Sequence, residues 1–335
     1  MKRSLLLLAV LLALVACSPV GDGGGATTTS GADEVTATET PDTTTTTETA
    51  PTTTFGESDG FPVTVTDDLG EVTIDALPDA IVSLSSTATE MLFAIGGGDQ
   101  VVAVDDRSNY PAEAPVTDLS AFTPNVEAIL AYEPDLVVIS YDPGDLIAAL
   151  NAANVPVLTF GPAFTLDDTY RQIGGLGTAT GHADDAVIVN ERIQAELDEI
   201  MAAAPDPPQG TDYYHEVDNT LFSATSSTFI GQIYTMFGLV SIADEADADG
   251  SAFGFPQLSS EYIVEADPDL IFLANAFYGE SAETVAARPG WEVLSAVQDG
   301  YVVELDSDVA SRWGPRVVDF AQSVSDALLA YVNEG

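Results

Sequence analysis

Lysine disappears from this sequence after its second residue, and the six basic residues beyond Arg3 are all arginine. Against 54 Asp and Glu the chain carries 8 Lys and Arg, a formal net charge of −46. A surface of that sign cannot neutralise phosphates, which excludes nucleic acid as a partner. The excess fits a partner rich in positive charge or, more simply, a surface adapted to salty surroundings, where screening over about a Debye length (~8–10 Å) tames self-repulsion. Cysteine occurs once, at Cys17, so an internal disulfide is excluded. Two histidines and that one cysteine make no His/Cys cluster for zinc. No metal site and no resident cofactor are expected. The sequence also lacks a GxSxG elbow or another Ser/His/Asp set in a strand–turn–helix context, which argues against an enzyme.

What is present begins with a leader. Lys2 and Arg3 precede an apolar run from Leu5 to Ala16, too short to span a bilayer and laid out like a secretory signal. It ends in Leu14-Val15-Ala16-Cys17, which resembles a bacterial lipobox, the cysteine then becoming the lipid-modified first residue. The alternative is an ordinary cleavage near Ala16. Residues 1–17 are therefore read as a lipoprotein signal peptide, with lipidated Cys17 anchoring an extracytoplasmic protein to the cell membrane. Residues 18–60 are Thr, Gly, Ala and acidic residues with almost nothing to bury, and are read as a disordered tether. Such a coil reaches on the order of 35–40 Å.

Beyond the tether, apolar strand-like runs alternate with helical patterns. Strands are expected near Val63–Thr66, Ile81–Ser83, Val101–Val104, Leu136–Ile139, Val155–Phe160, Tyr213–Val217, Leu270–Leu273 and Val302–Glu304. Alternation of this kind predicts an α/β fold with mainly parallel sheets. In residues 183–204, Ala186, Val189, Ile193, Leu197, Ile200 and Met201 keep helical spacing without Gly or Pro until Pro205. The expected architecture is two Rossmann-like lobes, 61–181 and 205–335, joined by one long backbone helix over 182–204. One corner is written twice. VEAILAYEPDLVVIS at 126–140 returns as SEYIVEADPDLIFLA at 260–274, so Glu127 falls on Glu261, Pro134 on Pro268 and Asp135 on Asp269. Each copy reads as a short helix, a Pro-Asp turn and an apolar strand.

Several smaller motifs have plain readings. GGLGTATG at 174–181 is not GxGxxG, and close helix packing suits it better than a dinucleotide. Thr87 and Glu90 fit a capping box. Glu245, Asp247, Asp249 and Gly250 copy the start of a calcium loop whose twelfth position is Pro256, so a solvated acidic loop is expected. His182 is placed to cap the long helix, and His215 reads as a satisfied interior histidine.

IVSLSSTATEMLFAIGGGDQVVAV (81–104), RSNYP (107–111), NVEAILAYEPDLVV (125–138), the long helix, FPQLSSEYIVEADPDLI (255–271) and SRWGPRVVD (311–319) together resemble the helical-backbone, or class III, substrate-binding proteins. That family serves ABC importers for ferric siderophores, cobalamin and haem. The resemblance implies capture of a small molecule between lobes that move little, and delivery to a permease dimer with its ATPase. It also implies that a glutamate on each lobe, here Glu127 and Glu261, docks on permease arginines, which recognise carboxylates bidentately. Residue by residue, the alternative for each is a Glu complementing its helix dipole. The ligand is expected at the carboxyl ends of the strands. Arg107, Asn109, Tyr110, Tyr141, Tyr278, Arg312 and Trp313 lie on those loops, with Phe122, Phe253 and Phe255 on the rim. Either arginine could instead be a salt-bridge residue, and Arg316 is expected to support the fold. The reading is thus a monomeric, membrane-anchored receptor for a ferric siderophore or a corrinoid. A haem receptor is the alternative within the class, although no His or Tyr pair stands out as ligands. A hydrolase or an adhesion lipoprotein on the same bilobal scaffold are the rivals outside it.

Overall fold

A computed structural model describes residues 60–334. The signal peptide, Cys17 and the tether lie outside the described residues.

The amino lobe opens with a hairpin, β1 (Val63–Thr66) and β2 (Glu71–Ile74), paired antiparallel. Its turn is tied by Asp67, whose Oδ1 accepts from the amides of Leu69 and Gly70, both at 2.8 Å. Then follow β3 (Ile81–Leu84), α1 (Ser86–Ala94), β4 (Val101–Val104), α2 (Val126–Leu130), β5 (Leu136–Ile139), α3 (Leu146–Ala152), β6 (Val157–Thr159) and α4 (Leu166–Thr180). The backbone helix is α5 (Ala183–Ala203), 21 residues long. It stops because Ala204 precedes Pro205 and takes the extended conformation that proline imposes on its predecessor. The carboxyl lobe comprises β7 (Asp212–Glu216), α6 (Phe229–Met236), β8 (Val240–Ser241), α7 (Ser260–Ala266), β9 (Leu270–Leu273), α8 (Ala282–Ala286), α9 (Ser295–Asp299), β10 (Val302–Glu304), α10 (Ser307–Ser311) and α11 (Val317–Glu334).

Both four-stranded sheets are parallel throughout. Their orders are β4-β3-β5-β6 and β8-β7-β9-β10. Counted in chain order within each sheet, the two orders are the same: second, first, third, fourth. β3, β5 and β9 are buried at every position, as strands covered on both faces must be.

The twice-written corner is the third strand of each sheet with the helix before it. Asn125 and Ser259 cap α2 and α7. Glu133 and Asp267, the residues before the two prolines, both adopt left-handed backbone, at φ 51° and 47°. Asp135 and Asp269 then use Oδ2 to accept backbone amides at the start of the first strand, Asp79 and Ala80 in one lobe and Asp212 in the other. The repetition therefore extends from sequence to dihedral angles to hydrogen bonds.

The lobes share one apolar core. It runs from Ile81, Leu136 and Leu158 through Ile193 and Leu197 of α5 to Tyr213, Phe272 and Phe320. Close approach of α4 to α5 accounts for the glycine-rich stretch. A Cβ on Gly177 would stand 2.5 Å from that of Ala186 and 2.9 Å from the His182 carbonyl.

Candidate ligand cleft

In a parallel sheet the loops leaving the carboxyl ends share one edge, and the two strands flanking the order reversal leave a crevice there. Loops from the two edges meet each other directly. After β4, Asp105 is buried, and burial pushes its carboxyl above the ordinary range. It accepts from Ser108 Oγ at 2.5 Å, and Ser108 Oγ lies 2.9 Å from Thr89 Oγ1 of α1, so the loop is pinned to the lobe. The next residues reach across. Asn109 donates to Asp308 Oδ2 at 2.7 Å and accepts from Arg312 Nη1 at 2.9 Å. Arg312 Nη2 donates to the Arg107 carbonyl at 3.0 Å and lies 2.8 Å from Asp308 Oδ1.

At the centre of this seam is Glu90 of α1, with a side chain 1% exposed. Its Oε1 accepts from Arg312 at 2.7 Å and from Arg316 Nη2 at 2.6 Å, and its Oε2 from Arg316 Nε at 2.9 Å. The Arg316 guanidinium stacks 4.3 Å from the Tyr110 ring centroid. Trp313 between them is half-buried. Its Nε1 donates to Gln172 at 2.8 Å and its carbonyl accepts from Thr169 at 2.9 Å. The segment 306–316 thus belongs to the carboxyl lobe by chain order and to the amino lobe by its polar contacts.

The facing wall is built from a second buried acid. Glu216, fully enclosed at the end of β7, receives Arg288 at 2.5 and 2.7 Å, Asn275 Nδ2 at 2.9 Å and the Tyr214 hydroxyl at 3.3 Å. Arg288 also pairs with Glu280 at 2.7 Å. Burial alone would raise the Glu280 carboxyl, but hydrogen bonds from Arg288 and Thr284 hold it below its ordinary value. This network fixes the loop after β9, which leaves Phe277 84% and Tyr278 67% exposed with their rings 5.4 Å apart. Exposed rings on loops that are otherwise tied down offer apolar contact surface.

A family model of periplasmic binding proteins matches residues 81–309. The chain belongs to the periplasmic binding protein family. YvrC, an ABC transporter substrate-binding lipoprotein of Bacillus subtilis, is 30% identical over 278 residues, 80% of this chain and 86% of that protein. A cobalamin-binding protein of Halobacterium salinarum is 28% identical over 270 residues, 77% of this chain and 72% of its own. Among solved structures, the vitamin B12 binding protein BtuF of Vibrio cholerae has a TM-score of 0.63 at 24% identity, covering 76% of this chain and 98% of that one. The heme-binding protein RhuT of Roseiflexus sp. RS-1 has a TM-score of 0.65 at 23% identity, with 76% and 98% covered. Two parallel-sheet lobes on a helical backbone are the class III architecture of these neighbours.

Within this periplasmic binding protein the expected site residues divide. Arg107, Asn109, Tyr110, Arg312 and Trp313 come together at the seam. Phe122 and Tyr141 form a pair with rings 6.1 Å apart, and the Tyr141 hydroxyl donates to the Ala121 carbonyl. Phe253 is 69% exposed in left-handed backbone, φ 53°. Asp247 creates that display by accepting the amides of Ala252 and Gly254 at 2.7 Å, so the calcium-like acids organise a loop. Phe255 is partly buried beside it. Arg312 is the residue the structure moves. Expected at an open cleft mouth, it is 7% exposed and gives its guanidinium to Glu90, Asn109, Asp308 and a carbonyl. The Thr87–Glu90 capping box is likewise corrected, because Ser85 caps α1 and Glu90 serves the ion cluster. Sequence reasoning passed over Phe164 and Phe277, exposed by 70% and 84%, although each follows a strand end by a few residues. The Phe164 carbonyl accepts from Gln232 of α6, a further contact between lobes. A concavity of about 420 Å³ beside β2 and α3 lies outside the cleft, at the outer edge of the amino lobe.

Neither histidine serves the cleft. His182 precedes α5, where its Nδ1 lies 3.2 Å from Asp185 and makes no backbone cap. His215 is fully buried, Nδ1 at 2.8 Å from the Tyr234 hydroxyl and Nε2 without a polar partner. A second proton would be enclosed unpaired, and burial lowers its pKa from 6.5 to about 3. The unfolded chain therefore takes up a proton that the folded one refuses. The stability this represents is complete above pH ~6.5 and falls by about 1.4 kcal/mol per pH unit down toward pH 3. Chemical denaturation of His215→Asn beside the parent between pH 4 and 6.5 should show the slope reduced by about that amount; equal slopes would contradict it.

Proposed function

We propose that this protein captures a cobalamin, haem or ferric-siderophore ligand between its lobes and hands it to an ABC permease with its ATPase. Lipidated Cys17 anchors it to the outer face of the cell membrane, and residues 18–60 tether the lobes, 61–181 and 205–335 on the 182–204 helix, to that anchor. The observation that carries this is the facing of two strand-end edges across a seam, each presenting exposed aromatic rings on loops fixed by buried acids. Such a cleft offers contact area and orientation, as a binding site needs. Its curated relatives are binding proteins, for cobalamin in Halobacterium salinarum and vitamin B12 in Pectobacterium carotovorum. The ligand-contacting residues in this reading are Arg107, Asn109, Tyr110, Phe122, Tyr141, Phe253, Phe255, Tyr278 and Trp313. Glu127 and Glu261, both exposed at the second position of their helices, are the permease-docking residues.

One experiment tests capture and anchoring together. Membranes from cells expressing the full chain should bind labelled cobalamin, haem or a ferric siderophore saturably, while Cys17→Ala should remove that capacity from the mature membrane-bound fraction. Membranes that bind none of the three would overturn the receptor reading. Undiminished, fully processed membrane binding by Cys17→Ala would overturn the anchor.

A further inference from the structure

We infer that the ligand is a bulky metal chelate or macrocycle of zero or positive net charge, carrying at most one anionic group, which docks on Arg107. The inference rests on the receptor reading above and narrows its substrate class.

Anionic ligands are recognised by cations whose charge is available, and here almost none is. Among the described residues Arg171, Arg288, Arg312 and Arg316 each face a carboxylate. The pairing is heaviest at the cleft. Arg288 is matched by Glu216 and Glu280, and Arg312 by Glu90 and Asp308. Their side chains are 19% and 7% exposed, so their charge is both cancelled and covered. Arg192 is exposed on α5, away from the strand ends. Among the described residues Arg107, exposed in the loop after β4 and without an ion pair or side-chain hydrogen bond, is the one strand-end cation left to meet a ligand.

The strand-end loops hold unneutralised acids instead. Asp106 follows β4, Asp142 follows β5 and Asp218 follows β7, and none of the three has an ion pair, whereas Asp306 after β10 lies in the field of Arg316. With the chain at net −46, the edges that enclose the ligand carry negative potential. A polyanionic chelate would pay repulsion with one arginine to offset it. A neutral or cationic body would not, and the exposed rings of Phe277, Tyr278, Phe122 and Phe253 supply the apolar and cation–π contact that suits it.

Three probes of graded charge test this on the full chain purified in detergent. They are cyanocobalamin (neutral, with one phosphodiester), a cationic tris-hydroxamate ferric chelate and a trianionic tris-catecholate ferric chelate. Tryptophan fluorescence should report saturable binding of the neutral or the cationic probe. The trianion should bind roughly 100-fold more weakly at low salt, and the gap should narrow as salt screens the edges. If cyanocobalamin binds, Arg107→Ala should weaken it about tenfold; unchanged affinity would remove Arg107 from the inference. Binding of the trianion as tight as the best other probe overturns the charge class while leaving the receptor reading in place. No saturable binding of any probe overturns the charge class, and the receptor reading falls with it when haem also fails to bind.

Discussion

Glu90→Ala should cost about 3–5 kcal/mol of folding stability, the range expected when one partner of a buried ion cluster is removed and the other is left charged. The geometry places this residue at the severe end. Glu90 is 1% exposed and answers two guanidiniums, whose side chains are 7% and 15% exposed. Neither arginine can deprotonate, and although Asp308 stays beside Arg312, Arg316 loses its carboxylate partner, so the variant must either bury uncompensated charge or open the seam to water. Measured against a typical total of 5–15 kcal/mol, the loss is a large fraction of what holds a domain together. Denaturant unfolding of the variant beside the parent reads the effect directly. Glu90→Gln keeps an acceptor and the volume and should fall between the two. A loss below about 1 kcal/mol for Glu90→Ala would show that the cluster is not the tie the distances describe.

The double variant Glu127→Lys with Glu261→Lys should abolish ligand uptake by cells while leaving ligand affinity untouched. Both glutamates are exposed and both occupy the second position of helices capped by Asn125 and Ser259. Reversing a charge there sacrifices a favourable dipole interaction of about 0.3–1 kcal/mol per site, too little to unfold the protein. The consequence at a permease is of another order. On the proposed docking, two lysines in place of two carboxylates would turn attraction into repulsion at both contact points, which costs several kcal/mol. Retained uptake by a folded, ligand-binding double variant would reduce the repeated corner to a trace of two similar lobes.

How much of this was legible in the sequence depended on distance along the chain. β5 and β9 were readable to the residue, because Pro-Asp marks their start and four consecutive apolar residues mark a strand covered on both faces. The backbone helix was readable from its spacing and from Pro205. β2 was missed because Glu71–Ile74 has only two apolar residues and buries only Ile74, and β8 because it is two residues long. The α1 cap was misassigned within a run of hydroxyls, Ser85, Ser86 and Thr87, any of which could have served. Glu90 was invisible for a different reason. Its partners lie 222 and 226 residues away, and local patterning carries no information about them. The aromatic rim was only partly found, since exposure of Phe164 and Phe277 follows from how neighbouring loops are tied, not from their own residue type.

Segment 306–316 has a mechanical consequence. The lobes are joined through α5 and, at the opposite side of the chain's course, through Glu90, Arg312, Arg316 and Trp313. The shared core and the Phe164–Gln232 contact add further ties between the same two bodies. Ties spread over several separated points hold the lobes against free tilting, so the relative placement of the two strand-end edges is set by the fold and not by a single hinge.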